Sequence, residues 1–201
     1  MTARFIFILG LFCGIFSERL SGAEVERKKE NCYLIESWKD DDFGPSHIRF
    51  VHRKSGKVVF EESNRIHPYV GDGCISADGN YLSFAEGSIS LGNSIRLYAR
   101  RKGKFELIEC NVEEVYTNRL IDHGVIRSDT DLTHLYAQPI TFRGNSLLIR
   151  FSGDYQYSGK RHFLPGTPYA FDLKTKRLTR LSASESRKLP HPPTESRGAI
   201  Q

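Results

Sequence analysis

Within residues 151–163, FSGDYQYSGKRHF, the side chains best suited to chemistry crowd together: Ser152, Tyr155, Tyr157, Lys160 and Arg161, with Gly153 and Gly159 between them. Tyrosine and arginine bury large area at low entropic cost and are enriched at recognition hot spots, so this set is suited to gripping a partner. Catalysis is less well served. The chain has no G-x-S-x-G nucleophile elbow, and nothing nominates a pair of carboxylates for acid–base work. His47, His52, His67, His123, His134 and His162 are scattered singly, without an H-x-x-x-H or H-x-H pair, so no metal and no other cofactor is expected. The DFG triplet at 42–44 has no glycine-rich loop or H-R-D beside it and reads as polar loop. Asp129-Thr130-Asp131 lacks the further ligands and the glycine of a calcium loop and reads as a cap or turn.

The elements that must position these residues begin with an address. A start containing Arg4 leads into the apolar run FIFILGLFCGIF, 5–16, and then Ser21-Gly22-Ala23. This is the pattern of a secretory signal peptide, with Ser21 and Ala23 at the −3 and −1 positions, and cleavage is expected after Ala23. Twelve apolar residues are too few to cross a bilayer core, which takes about 20. The protein is therefore expected to be exported, periplasmic or secreted, with no membrane span after cleavage. Removing Arg4, Arg19 and Glu18 from 29 basic and 24 acidic residues leaves a formal charge of +4. That excess is spread along the chain. It suits an anionic surface, glycan or phosphate and does not argue for nucleic acid. Cys32, Cys74 and Cys110 match no C-x-x-C spacing. In an oxidising compartment two of them are expected to pair, with three connectivities open, or else to be buried as thiols.

The scaffold shows itself as internal repetition. Residues 48–62, IRFVHRKSGKVVFEE, lie over 95–109, IRLYARRKGKFELIE, at a constant offset, and 169–181, YAFDLKTKRLTRL, is a weaker third copy. Each is a strand, a basic turn and a returning strand. Alternation places Ile48, Phe50, Ile95 and Leu97 on one face and Arg49, Arg53, Arg96 and Arg100 on the other, with Val58, Phe60, Phe105 and Leu107 continuing the apolar face. Gly56 and Gly103 suit the turns. Arginines facing Glu61 and Glu106 are expected to pair across the strands. ISADGNYLSF, 75–84, and ITFRGNSLLI, 140–149, share a second pattern, so 75–110 and 140–181 each read as four strands. Two full copies and a half copy fall short of the four blades a closed propeller needs. The expected fold is all-β: an antiparallel meander of about eight to ten strands over 24–181, forming a sandwich or barrel with blade-like repeats and at most one short helix at 111–124. The charged residues 24–31 and the proline-rich tail 182–201 are expected to be loose.

Two resemblances follow from these segments. ISADGNYLSF together with FDLKTKRLTRL resembles the blades of exported WD-type propeller proteins. Ser152 to Tyr155, SGDY, fits the Ser-Gly-x-Tyr loop of periplasmic lysozyme inhibitors, and the order SLGNSIRLY (90–98), LLIRFSGDY, YAFDL (169–173) is similar to the inhibitors of invertebrate-type lysozymes. That resemblance implies a small exported all-β protein whose loop enters the lysozyme cleft, with Ser152 and Tyr155 bonded to the catalytic carboxylates. The chain departs from the pattern in being longer and basic. The leading expectation is an exported, non-catalytic module that binds a protein or glycan partner in the cell envelope. It would use an expanded loop at 152–168, through Ser152, Gly153, Tyr155, Tyr157, Lys160 and Arg161. The alternatives are a propeller-like module that completes its sheet with a partner, and a secreted hydrolase whose site does not show in the sequence.

Overall fold

The computed structural model describes residues 25–40, 44–64, 69–88 and 92–189. The signal segment 1–23, Asp42 and Phe43 of the DFG triplet, His67 and the end of the tail, 190–201, lie outside them. The described residues form three four-stranded antiparallel sheets, each a meander in chain order. The first holds β1 (Glu26–Glu30), β2 (Tyr33–Lys39), β3 (Ser46–His52) and β4 (Lys57–Asn64). The second holds β5 (Tyr69–Ile75), β6 (Tyr81–Ser88), β7 (Gly92–Arg101) and β8 (Lys104–Ile108). Helix α1 (Val112–Asp122) then leads to the third, with β9 (Leu132–Arg143), β10 (Ser146–Tyr157), β11 (Lys160–Asp172) and β12 (Leu178–Arg180), and one turn of helix, α2 (Ala183–Ser186), follows. The all-β class with one short helix is as expected. The strands number twelve, however, and they divide into three blade-like sheets instead of sharing one barrel or a two-layer sandwich.

The offset repeat is the reason for this division. The two strongest copies are the third and fourth strands of the first and second sheets, and the weaker copy is the same pair in the third. Alternation behaves as read on the third strands: Ile48, Phe50, Ile95 and Leu97 are buried. On the fourth strands it holds in part: Phe60 and Phe105 pack against the core, whereas Val58 and Leu107 are exposed. A bulge between Phe50 and Val51 shifts the pairing with β4, and both strands lie at sheet edges with little to cover them. The cross-strand pairs differ from those expected: Glu106 meets Arg101 at 3.7 Å while Arg100 lies opposite Phe105, and Arg49 bonds Glu36 on β2 at 2.5 Å. The described part of the segment read as loose, 25–31, holds a strand. Residues 26–30 pair with β2 over five positions although ERKKE has no apolar residue, because backbone bonds and its position at the inner edge suffice.

The second sheet lies between the other two. Tyr33, Ile35, Ile48 and Phe50 of the first sheet pack with Ile75, Leu82, Phe84 and Tyr98 of the second. From its other face Cys74, Ile95 and Leu97 meet Ala137, Leu147, Ile149, Phe151, Tyr169 and Phe171 of the third. Each such ring or branched chain, once buried, contributes about 1.5–3 kcal/mol. Helix α1 closes this layer with Val112, Tyr116 and Leu120, the Tyr116 ring stacking on Phe151 at 4.1 Å. The inner strands of the three sheets meet at Lys28: its Nζ donates to Gly73 O at 3.0 Å and to Ile140 O at 3.3 Å and pairs with Glu30 at 3.0 Å.

Both terminal faces of the stack are finished. On the first sheet, Glu36 lies under Arg27 and Arg49; burial works against its charge, but the two guanidinium groups outweigh that and hold its carboxyl below the usual range. Trp38 stacks on His47 at 4.9 Å beside them. On the third sheet, Ile140 and Leu148 are covered by Leu181 and Leu189. This corrects the reading of 182–201 as loose from its first residue. Ser182 and Glu185 form a reciprocal capping box that starts α2, and the cover gained at Leu189 rewards the order through that residue. The three cysteines carry thiols, not a disulfide. Cys32 is exposed in a turn and Cys74 is buried between sheets, while burial pushes the Cys110 thiol up to about 12. Among the described residues no helix is long and apolar enough to cross a membrane.

Candidate functional site

The segment expected as a loop from Ser152 is a hairpin arm. Strands β10 and β11 stay paired from Ser146↔Asp172 to Tyr157↔Lys160, and the chain reverses in two residues. Ser158 (φ 50°) and Gly159 (φ 74°) both lie in the left-handed region, the signature of a type I′ turn, whose twist matches that of the strands it joins. Strand β9 accompanies β10 as far as Leu132↔Tyr155, so only the pairs Gln156↔Arg161 and Tyr157↔Lys160 stand as a free two-stranded ribbon. The sequence misled here because Gly, Ser and Pro within 152–168 read as loop punctuation. Here they serve a bulge and a tight turn instead.

At the bulge, between Phe151 and Gly153, Ser152 of β10 lies opposite two residues of β11, Pro165 and Gly166. Gly153 sits at φ 151°, and a Cβ there would collide with the His134 carbonyl of β9. Directly paired residues share a face, which sorts the arm into two surfaces. On one, Tyr155 stacks on His162 at 5.1 Å and packs against the core, while Tyr157 lies edge-on to His162 at 6.5 Å with the Arg127 guanidinium over its ring at 5.3 Å. On the other, Phe163 is 73% exposed and the Arg161 guanidinium lies 5.3 Å from its ring centre.

Beneath Phe163 is the arm's strut. Asp154 is buried; Arg161 Nη2 donates to its Oδ2 at 2.7 Å, and His134 Nδ1 is 3.0 Å from the same oxygen. The bond from Arg161 holds the Asp154 carboxyl below the usual aspartate range, against the effect of burial and with help from His134. A carboxylate orienting a histidine is part of a hydrolytic triad, but one oxygen here serves both Arg161 and His134 and ties β9, β10 and β11 together. The sign of the linkage follows. A carboxyl with a depressed folded-state pKa contributes stability fully above its unfolded value, about 3.9, and loses it as the pH falls through the lower folded value. The melting-temperature advantage of the native protein over Asp154→Asn is thus expected to be constant from pH 7 to pH 5 and to shrink on acidification below about pH 4.

The sequence-derived site residues accordingly fall into two groups. Tyr157, Lys160 and Arg161 stand at the tip, with Tyr157 and Lys160 exposed. Ser152, Gly153 and Tyr155 form the root: Ser152 pairs with Tyr136, Gly153 with Leu135, and Tyr155 is half-buried. Asp154, His134 and Phe163 escaped the sequence reading. Asp154 lay inside the motif, and only the 20-residue separation to His134 hid its partner. Beside the tip, Arg127, Thr130, Asp131, Gln156 and Ser158 border an open cavity of about 450 Å³. Asp131 there accepts the Arg127 backbone N–H at 2.8 Å, the turn role read for 129–131. Among the described residues no three His, Cys, Asp or Glu side chains converge as metal ligands.

No family model matches the chain, and no curated protein matches it. Among solved structures, hydrazine synthase of Kuenenia stuttgartiensis is similar to it at 12% identity and a TM-score of 0.38, over 79% of this chain and 58% of that one. The chain thus spans little more than half the length of that protein's chain, and a likeness at that level bears on neither fold nor function.

Proposed function

We propose that the protein is an exported, non-catalytic β-module that receives a protein partner of the cell envelope on the tip of the β10–β11 arm, with inhibition of an invertebrate-type lysozyme as the sharpest form of that activity. One observation carries the reading: Tyr157 and Lys160 on one surface of the folded arm, and Arg161 and Phe163 on the other, are exposed at and just below its tip. Aromatic and arginine anchors on a pre-organised element bind without the cost of ordering a loop at the moment of contact. A tip two residue pairs long and one turn wide is the shape that enters a cleft. The Ser-Gly-x-Tyr resemblance supports the same arm but assigns the contact to Ser152 and Tyr155; their half-buried, paired positions favour the tip as the contact and the motif as its root. The finished terminal faces favour a module that stands alone over one awaiting another blade.

The test is a titration of an invertebrate-type lysozyme with the protein, with Tyr157→Ala/Phe163→Ala and with Ser152→Ala/Tyr155→Ala. The wild type is expected to inhibit, and the tip variant to lose roughly 100-fold or more in potency with an unchanged melting temperature, as for two hot-spot residues. Absence of inhibition by the wild type, or full potency of the tip variant, contradicts the reading, and hydrolysis of peptidoglycan by the pure protein removes its non-catalytic part.

A further inference from the structure

The basic excess that is dispersed along the sequence is gathered by the fold. The turns joining third to fourth strands read RKSGK (53–57), RKGK (101–104) and KTKR (174–177): nine cations, no carboxylate, and every residue exposed. In a stack of meanders these turns share one end, and contacts between sheets fix this directly. At that end the backbone N–H of Arg53 donates to Cys32 O at 2.8 Å, and Asn31 beside it donates to Ile75 O of the second sheet at 2.9 Å. The turns of the second and third sheets in turn line one cavity of about 830 Å³ that holds Arg100, Arg101, Lys174 and Lys176 with Tyr81 and Asn145. Of the acids near these turns, Asp78 is engaged by Ser76 and Asn80, Asp172 by Thr175 and the Lys174 backbone, and Glu106 by Arg101 at 3.7 Å, while Glu109 borders the cavity beside Lys176, whose Nζ donates to the Glu109 backbone carbonyl at 3.2 Å. Sheets pack about 10 Å apart, so the three turns make a basic rim roughly 20 Å long. The rim lies at the opposite end of the third sheet from the arm, whose tip joins second to third strand.

We infer that this rim binds a linear anionic glycan, one carrying carboxylate or sulfate groups, laid across the three turns with a sugar seated in the cavity between the second and third sheets. The charge pattern repeats with the sheets, as a repeating polyanion requires, and it is solvent-exposed, which suits long-range attraction screened by salt. The turns themselves carry no aromatic residue, and the single Tyr81 ring in the cavity does not make the run of stacking platforms that successive bases of a single-stranded nucleic acid use. Between the cations the cavity offers an amide at Asn145 and the ring of Tyr81, groups suited to hydroxyls and to a sugar face. A recessed site of that kind fits a chain better than a flat membrane of anionic lipid.

The experiment measures binding of the protein to heparin and to polygalacturonate at 0.15 M salt, with poly(dT) and vesicles containing phosphatidylglycerol as competitors. It is repeated with three variants in which one turn at a time has its Lys and Arg replaced by Gln, and with Arg180→Gln/Arg187→Gln/Lys188→Gln as a charge-matched control. The expected result is retention of at least one of the two glycans. Each turn variant should weaken binding roughly tenfold, the losses should accumulate when turns are combined, and the control should change affinity less than about threefold. Rising salt should abolish binding steeply. Failure to bind either glycan, equal loss in the control, or tighter binding to poly(dT) or to the vesicles overturns the proposal. Lysozyme inhibition by the turn variants should be unchanged, so this proposal and that of the arm stand or fall separately.

Discussion

Replacing Gly153 by alanine is expected to lower the melting temperature by roughly 5–15 °C, from a cost of about 2–4 kcal/mol at about 2–4 °C per kcal/mol for a chain of this size. Two causes add. The backbone at φ 151° is open to glycine and scarcely to any other residue, and the new Cβ would meet the His134 carbonyl of β9, on the side away from the bulge. Moving β10 away from β9 relieves the contact but pulls the adjacent Asp154 off His134. The variant should therefore lose the arm before it loses the stack. Thermal unfolding followed by circular dichroism gives the first effect, and proteolytic cleavage within 152–163 gives the second. A variant as stable as the wild type, with an intact arm, would show that the bulge is not built as described.

Phe151→Ala is expected to be at least as damaging, costing about 3–5 kcal/mol, a large part of the 5–15 kcal/mol typical of a whole domain. Phe151 is fully buried where three elements meet: its ring stacks on Tyr116 of α1 at 4.1 Å and lies edge-on to Tyr169 of β11 at 5.8 Å. Truncation leaves a cavity against two rings that are themselves fixed by their neighbours, so collapse is limited. Leucine retains most of the volume and should cost about 1.5 kcal/mol or less. Denaturant titration of the two variants checks the order, and equal losses would indicate that the site depends on ring stacking more than on volume.

Much of this architecture could be read from the residues. The repeat from Ile48 to Glu62 and from Ile95 to Glu109 marks the same hairpin in two sheets, and the burial of Ile48, Phe50, Ile95 and Leu97 follows from simple alternation. The helix was placed to within two residues by Asn111 and Gly124, although Asn111 makes no side-chain cap bond. What escaped was whatever depends on position in three dimensions more than on local pattern. Strand β1 has no apolar residue and exists because it is the inner edge that Lys28 ties to two other sheets. Leu189 sits in a proline-rich tail, and its burial depends on Ile140 and Leu148 lying bare beside it; the capping box at Ser182 was the local sign of order. The candidate site shows the same division. Its residues are legible by type, but the glycines that read as loop serve a bulge and a two-residue turn, so the accessible rings are Tyr157 beside the turn and Phe163 opposite Asp154, not the half-buried Tyr155.

The central claim is that the arm is folded before any partner arrives. Amide hydrogen exchange of the free protein, resolved by residue across 152–168, tests it most directly. The account predicts slow exchange at alternating ladder positions from Gly153 to Leu164, with fast exchange confined to the turn at Ser158 and Gly159 and to amides facing outward. Uniformly fast exchange throughout 152–168, with slow exchange retained in the rest of β10 and β11, would contradict it and return the segment to a flexible loop.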